Sequence, residues 1–374
     1  MTNAERREAR YQRRKLKRES KEIYKTYDDV FTFDNLWNSY RECIKGVKWK
    51  RSTQCLEKKP ITKITKLFKQ LKEEKFKSRG FYEFDIFERG KKRHIKSVHI
   101  EERVVQKCLC REYLIPVLSR QLIYDNSASQ KGKGIDFSRN RFYKHLRQFY
   151  RENGREGYAL VYDFSNFFDS IDHDILKEKL KKDIKDERIG RITNYFIDTF
   201  GERGLGLGSE TSQILALYYP TSLDRLIKEK LKIKQYGRYM DDGYLLNIHK
   251  KRLAYCLDHI KEETDKLNIR LNLKKTTVIK LTKGIVWLKW NNFVLNSGRI
   301  LKKPNRKSII IERRKLKKLV AKLYDGRITT INLQNSITSW QGYMKRTNGR
   351  RSIFNTLEIK GEWMNGNCIS KRII

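Results

Sequence analysis

The stretch that most limits what this chain can become is Tyr236-Gly237-Arg238-Tyr239-Met240-Asp241-Asp242-Gly243-Tyr244-Leu245-Leu246. Residues of strand preference flank two adjacent carboxylates and a glycine, a pattern that spells strand, tight turn, strand. Both acids are expected at the tip. Side chains alternate along a strand, but at a turn neighbouring carboxylates can approach one point, and such a point attracts divalent metal. An Asp-Asp-Gly sequence also closes an ordinary solvated turn, because Asp tolerates unusual backbone angles.

A second stretch bears on that choice. In Tyr158-Ala159-Leu160-Val161-Tyr162-Asp163-Phe164-Ser165-Asn166-Phe167-Phe168 an apolar strand ends in an acid, and two aromatics follow. Tyr-Met-Asp-Asp downstream of Asp-x-x-x-Phe-Phe resembles the catalytic pair of motifs in the palm of reverse transcriptases. The resemblance implies an α+β, right-hand polymerase fold: a basic arm over 1–30, fingers over 31–157, palm over 158–302 with a loop-and-helix segment at 204–224, and a helical thumb over 303–374.

Charge agrees with a nucleic-acid partner. The 374 residues carry 85 Lys plus Arg against 44 Asp plus Glu, a formal +41, yet 38% are hydrophobic and 11% aromatic. That is too apolar for a disordered polycation, so the chain folds and its partner is a polyanion. Tyr and Phe interleaved with the cations suit stacking on bases. No apolar run is long enough to span a bilayer and the N-terminus lacks the apolar core of a signal peptide, so the expectation is a cytoplasmic protein with no membrane partner. The cysteines at 43, 55, 108, 110, 256 and 368 have neither zinc spacing nor a disulfide pattern and read as free thiols.

Residues 1 to about 26 hold ten Lys and Arg with hardly an apolar residue, a solvated basic helix or an arm that orders on a phosphate backbone. Helices are expected from Thr32, with Phe33, Leu36, Trp37 and Tyr40 on one face, and over 61–77. A hairpin follows, Phe81 to Phe87 and back through Arg93 to Val98, then a helix from Glu101 to Leu118. This resembles reverse-transcriptase fingers, and on that resemblance Arg93 matches the arginine that reaches the incoming nucleotide or template. In Ser127-Ala128-Ser129-Gln130-Lys131-Gly132-Lys133-Gly134, Gln130 stands where relatives often place an arginine. Lys131 or Lys133 then holds the triphosphate, or the glycines serve only flexibility.

One charged helix is expected over 173–189. Gly204-Leu205-Gly206-Leu207-Gly208-Ser209-Glu210-Thr211-Ser212-Gln213 leads into a helix continuing to Asp224. It resembles the loop and helix beneath template and nucleotide, placing Leu207, Gly208 and Gln213 at the nucleotide. Its wording departs from retroviral and intron enzymes and is closer to diversity-generating retroelements and bacterial defence-associated reverse transcriptases. Further on, Gly284 to Trp290 fits the primer-grip hairpin, with Trp287, Leu288 and Lys289 as the grip. Residues 301–374 carry 18 Lys plus Arg against 4 acids, and the helix containing Arg313 and Lys317 is expected to clamp duplex phosphates.

The resemblance implies two-metal nucleotidyl transfer. Asp163 and Asp241 bridge two Mg2+ ions (Mn2+ a substitute), Asp242 supports the site, and the Phe164 carbonyl is a further ligand. Phe168 is expected to bar a ribose 2′-hydroxyl and so favour dNTPs. The implied partners are a template RNA, often a cognate non-coding RNA, the cDNA product and a small accessory protein. Too few residues follow the thumb for a ribonuclease H domain. The function implied is RNA-directed DNA polymerase of a bacterial or phage retroelement, for diversity generation or antiphage defence. The competing class is an idle RNA-binding protein on the same scaffold, against which the acids at 163, 241 and 242 argue.

Overall fold

Capping chemistry sets the first helices. In the computed structural model, which describes residues 25–348 except 89 and 90 together with Glu8 and Gln12, Thr32 Oγ accepts the Asn35 N–H at 3.1 Å and starts α1 (Phe33–Cys43). Leu36 and Tyr40 are buried on its inner face. The other expectations for the basic arm before Lys25, and for Cys368, lie outside the described residues. Pro60, whose missing N–H costs nothing at a first position, opens α2 (Pro60–Lys72), which buries Ile64, Leu67 and Leu71. This helix ends five residues short of the expected 77, where Glu74 takes a φ of 52°. β1 (Phe81–Glu88) and β2 (Lys91–Val98) form an antiparallel pair with Phe84 opposite Ile95. α3 (Ile100–Leu109) runs on to Leu118 through a widened turn at Cys110–Leu114. Pro116 has no N–H to offer, and the Ile115 N–H reaches five residues back to the Cys110 carbonyl.

Two compact units account for the chain, and neither is one continuous stretch. The first takes residues 1–129, 164–230 and 259–272; the second takes 130–163, 231–258 and 273–374. In the second unit α4 (Ile135–Asn153) is a 19-residue helix absent from the sequence reading. β3 (Tyr158–Ser165) follows, and its last two residues belong to the first unit. There the expected helix over 173–189 is instead two helices, α5 (His173–Asp183) and α6 (Glu187–Asp198), because Asp186 accepts the Ile189 N–H and begins a new N-terminus. α7 (Glu210–Tyr218) also stops before the expected Asp224. Pro220 cannot continue its hydrogen bonding, and a separate helical turn begins at Thr221.

The second unit resumes with β4 (Tyr236–Tyr239) and β5 (Asp242–Asn247), followed by α8 (Lys250–Lys266), whose end returns to the first unit. There β6 (Arg270–Leu271) pairs with Phe164 and Ser165. β7 (Thr277–Lys280) pairs antiparallel with Tyr158–Val161 of β3, across from β5, giving the second unit an antiparallel sheet of β4, β5, β3 and β7. A smaller sheet has the order β10 (Ile300–Pro304), β9 (Trp290–Val294), β8 (Ile285–Trp287). Phe142, Leu146 and Phe149 of α4 share a buried cluster with Tyr244, Leu246, Trp287 and Trp290. Finally α9 (Arg306–Tyr324) and α10 (Thr330–Lys345) pack through Leu316, Val320, Leu333 and Ile337, each helix with a side-chain N-cap, Asn305 and Thr329.

Candidate active site

Strand pairing brings the carboxylates together. β3 and β5 are antiparallel with Asp163 directly opposite Asp242, and β4 and β5 place Tyr239 opposite Asp242. The connecting turn is therefore Met240–Asp241, with Met240 at a φ of 55°. Asp241 lies in the turn while Asp242 is the first residue of the returning strand, so the two acids do not share the tip as the sequence suggests. Arg238, fully buried, donates from Nη1 to the Met240 carbonyl at 2.9 Å and braces that unusual backbone. One step along, Gly243 lies opposite Tyr162; a Cβ there would meet the Tyr162 ring at 2.2 Å. The ring can thus cross the sheet, and its hydroxyl meets that of Tyr236 at 2.8 Å.

Electrostatically the cluster is unbalanced. Asp163 is 6% exposed and accepts from Lys275 Nζ at 2.6 Å. Burial first, then the carboxylates of Asp241 and Asp163, push the Asp242 pKa from 3.8 up to about 8, against the opposing pull of Lys275. The Lys275 ammonium is itself raised, its desolvation outweighed by Asp163 and the two other aspartates. Three carboxylates beside one lysine form a site short of positive charge. Among the described residues no group of three His, Cys, Asp or Glu side chains stands ready to hold a metal ion. Magnesium, however, is commonly held by one or two carboxylates with substrate phosphates and waters completing its octahedron, and the facing Asp163–Asp242 pair is a donor set of that kind.

In the first unit the loop 204–209 gathers several residues expected at the nucleotide. Gly204, at a φ of 82°, rests on the backbone of Asp169, where a Cβ would meet Asp169 Cα at 2.9 Å. The Leu205 N–H donates to the Phe168 carbonyl at 2.8 Å, and the Lys96 N–H donates to the Leu207 carbonyl at 3.2 Å. Phe168, the loop and the strand carrying Arg93 are thereby tied together. Phe167 is buried and Phe168 half-buried, their rings edge-on at 5.7 Å. Arg93, Gly208 and Gln213 are exposed and Leu207 is half-buried. Beneath the loop, Ser209 donates to Gln106 Oε1 at 2.6 Å and Gln106 Nε2 donates to Glu102 at 2.9 Å, a buried polar chain from α3 that fixes where α7 begins.

The remaining expected residues belong to the second unit. Lys131 is exposed ahead of α4. Leu288 and Lys289 are the turn between β8 and β9, and Trp287 at 2% exposure lies in the core. Arg313 is half-buried and Lys317 exposed, one turn apart on α9. Sequence reasoning assigned no role to Lys275, Arg238 or Arg139. Each is one cation among 85, and only the fold distinguishes it.

A family profile described as reverse transcriptase (RNA-dependent DNA polymerase) matches residues 61–338, most of the chain. No curated protein sequence matches. Similar solved structures include apo telomerase from Candida tropicalis truncated from its C-terminal domain, at TM-score 0.47 and 15% identity over 60% of this chain and 55% of that one. Another is telomerase from Candida albicans in complex with a TWJ fragment of telomeric RNA, at TM-score 0.48 and 12% identity over 75% and 55%. This chain thus spans about half the length of either telomerase chain, and scores below 0.5 leave the assignment to the family profile. Matching three quarters of its residues, motifs included, the chain belongs to the reverse transcriptase (RNA-dependent DNA polymerase) family, and its α+β architecture is that family's right-hand polymerase fold.

Proposed function

We propose that this chain is an RNA-directed DNA polymerase that copies an associated RNA into cDNA from dNTPs. The observation that carries the reading is the register placing Asp163 opposite Asp242, with Asp241 in the adjoining turn. Nucleotidyl transfer asks little covalent chemistry of a protein; it asks for alignment and for compensation of charge on the attacking and leaving oxygens. Asp163, Asp241, Asp242 and the Phe164 carbonyl are the groups that would hold two Mg2+ ions, with Mn2+ a substitute. When bound, such ions compensate that charge and lower the barrier to attack by the primer hydroxyl.

The chain's own residues supply the rest. Lys275 donates from Nζ to Asp163 at 2.6 Å and orients its carboxylate. Arg238 holds the turn that presents Asp241. Phe168, carried on the segment bonded to Leu205, packs against the sugar and disfavours a 2′-hydroxyl. Leu207 and Gly208 lie beneath the base pair, with Gln213 on the helix behind them, while Arg93 and Lys131 meet the triphosphate. Arg313 and Lys317 grip duplex phosphates. Among the described residues no helix is long and apolar enough to cross a membrane.

The wording of the loop around Leu207 supports a bacterial or phage retroelement, serving diversity generation or antiphage defence with a cognate non-coding RNA and a small accessory protein. The test is to incubate the purified chain with a primed RNA, dNTPs and Mg2+. A product resistant to ribonuclease and sensitive to deoxyribonuclease supports the reading; RNA binding without any such product favours the idle scaffold. Sequencing copurified RNA and cDNA then names the template.

A further inference from the structure

The turn between β8 and β9 is closed by two residues that ordinarily avoid its backbone. Trp287 faces Trp290, leaving Leu288 and Lys289 as the two-residue connection, with φ of 45° and 73°. Two consecutive positive φ values are the mark of a type I′ turn, a conformation that favours Asn-Gly and disfavours branched or long side chains. Strain of this kind persists only where the surroundings over-determine it.

Three groups converge on the carbonyls of these two residues. Arg139 of α4 donates from Nη2 to the Leu288 carbonyl at 2.7 Å. The Tyr343 hydroxyl of α10 donates to the Lys289 carbonyl at 3.3 Å, as does the Asn305 N–H at the start of α9. Arg139 is also unusual in itself: it is 6% exposed, its guanidinium lies 3.6 Å over the Trp290 ring, and the carboxylate of Asp136 stands only at 3.8 Å. A buried cation whose counter-ion stands no nearer than 3.8 Å is expensive and calls for a reason. Tyr343 stacks on Trp340 at 5.3 Å and meets Trp290 at 6.0 Å, so helix α10 reaches the same turn through its aromatic face.

We propose that Arg139, seconded by Tyr343, is a positioning residue that clamps the Leu288–Lys289 turn in its strained form and thereby sets where the 3′ end of the primer lies. This rests on the reading of Trp287, Leu288 and Lys289 as the primer grip. The clamp ties that turn to both α4 and α10, so movement of the helical C-terminal region is transmitted to the terminus through the Lys289 carbonyl. Neither Arg139 nor Tyr343 touches the reacting atoms in this account.

The test is a double-mutant cycle on single-turnover extension of a DNA primer annealed to RNA, with duplex affinity measured in parallel. Arg139→Met should slow the first addition about tenfold or more at saturating dNTP while duplex affinity changes less than twofold. Tyr343→Phe, which keeps every ring contact, should do the same more weakly and protects the test should Arg139→Met fold poorly. In a chain carrying the Asn-Gly turn (Leu288→Asn with Lys289→Gly), which adopts this backbone unaided, Arg139→Met should cost less than twofold. An equal loss in both backgrounds, or parallel loss of duplex affinity, overturns the clamp. If Leu288→Ala with Lys289→Ala leaves extension untouched, the primer-grip reading itself fails; if that pair lowers it while Arg139→Met and Tyr343→Phe do not, only the clamp fails.

Discussion

Asp242→Asn should stabilise the metal-free protein at alkaline pH while ending synthesis. Asp242 sits half-buried opposite Asp163, and burial with the neighbouring carboxylates raises its pKa from 3.8 to about 8. A carboxyl with a folded pKa above its unfolded one binds its proton more tightly when folded. Its effect on stability is nil below pH 4, becomes increasingly adverse between about 4 and about 8, and is complete above that window. The limiting slope for one proton is about 1.4 kcal/mol per pH unit. Lys275 and solvent at an incompletely buried group reduce the sum, and about 1–2 kcal/mol at pH 8 is the working figure. Asparagine carries no charge and should remove that slope while still able to donate to Asp163. Urea midpoints in EDTA at pH 4 and pH 8 give the comparison, the difference between wild type and variant growing toward the higher pH. Added Mg2+ should raise the midpoint of the wild type and not that of the variant. An Asp242→Asn protein less stable than wild type at pH 8, with the same pH slope, would refute the reasoning.

Other expectations follow from the same geometry. Phe168→Ala should admit ribonucleotides readily in single-nucleotide incorporation, while Phe167→Ala should mainly destabilise, by about 3–5 kcal/mol for a buried ring; unchanged sugar discrimination in Phe168→Ala removes its gating role. Leu207→Gln should raise fidelity about fivefold, the worth of one hydrogen bond near 1 kcal/mol, read by deep sequencing of cDNA from one defined template. Identical error spectra would reduce Leu207 to packing. Arg313→Ala with Lys317→Ala should lower the slope of log affinity against log salt for duplex by about 2, and an unchanged slope would take α9 off the phosphates.

How much of this was legible in the chain depends on what each residue does. Asp163 and the Asp241–Asp242 pair stand at strand ends beside Tyr and Gly, a local pattern that needs no tertiary information. The register that sets Asp242 rather than Asp241 against Asp163 is long-range and not legible locally, where the pattern puts both acids at the tip. Lys275 sits in a lysine-rich run and Arg139 in a basic helix, so composition hid them, and only pairing at 2.6 Å with Asp163 and stacking on Trp290 set them apart. Helix ends depart from the periodic pattern where one residue overrules it: Pro220 stops α7, and Asp186 divides α5 from α6. The Leu288–Lys289 turn gave no turn signal at all, because neither residue favours it and the carbonyls' partners lie far along the sequence.

The central claim is that these three aspartates make the chain a DNA polymerase, and one measurement tests it most directly. Asp241→Ala with Asp242→Ala should abolish Mg2+-dependent DNA synthesis on a primed RNA, a fall of about a thousandfold or more, while RNA affinity, carried by the basic surfaces, stays within about twofold. Undiminished synthesis by this double variant would contradict the account.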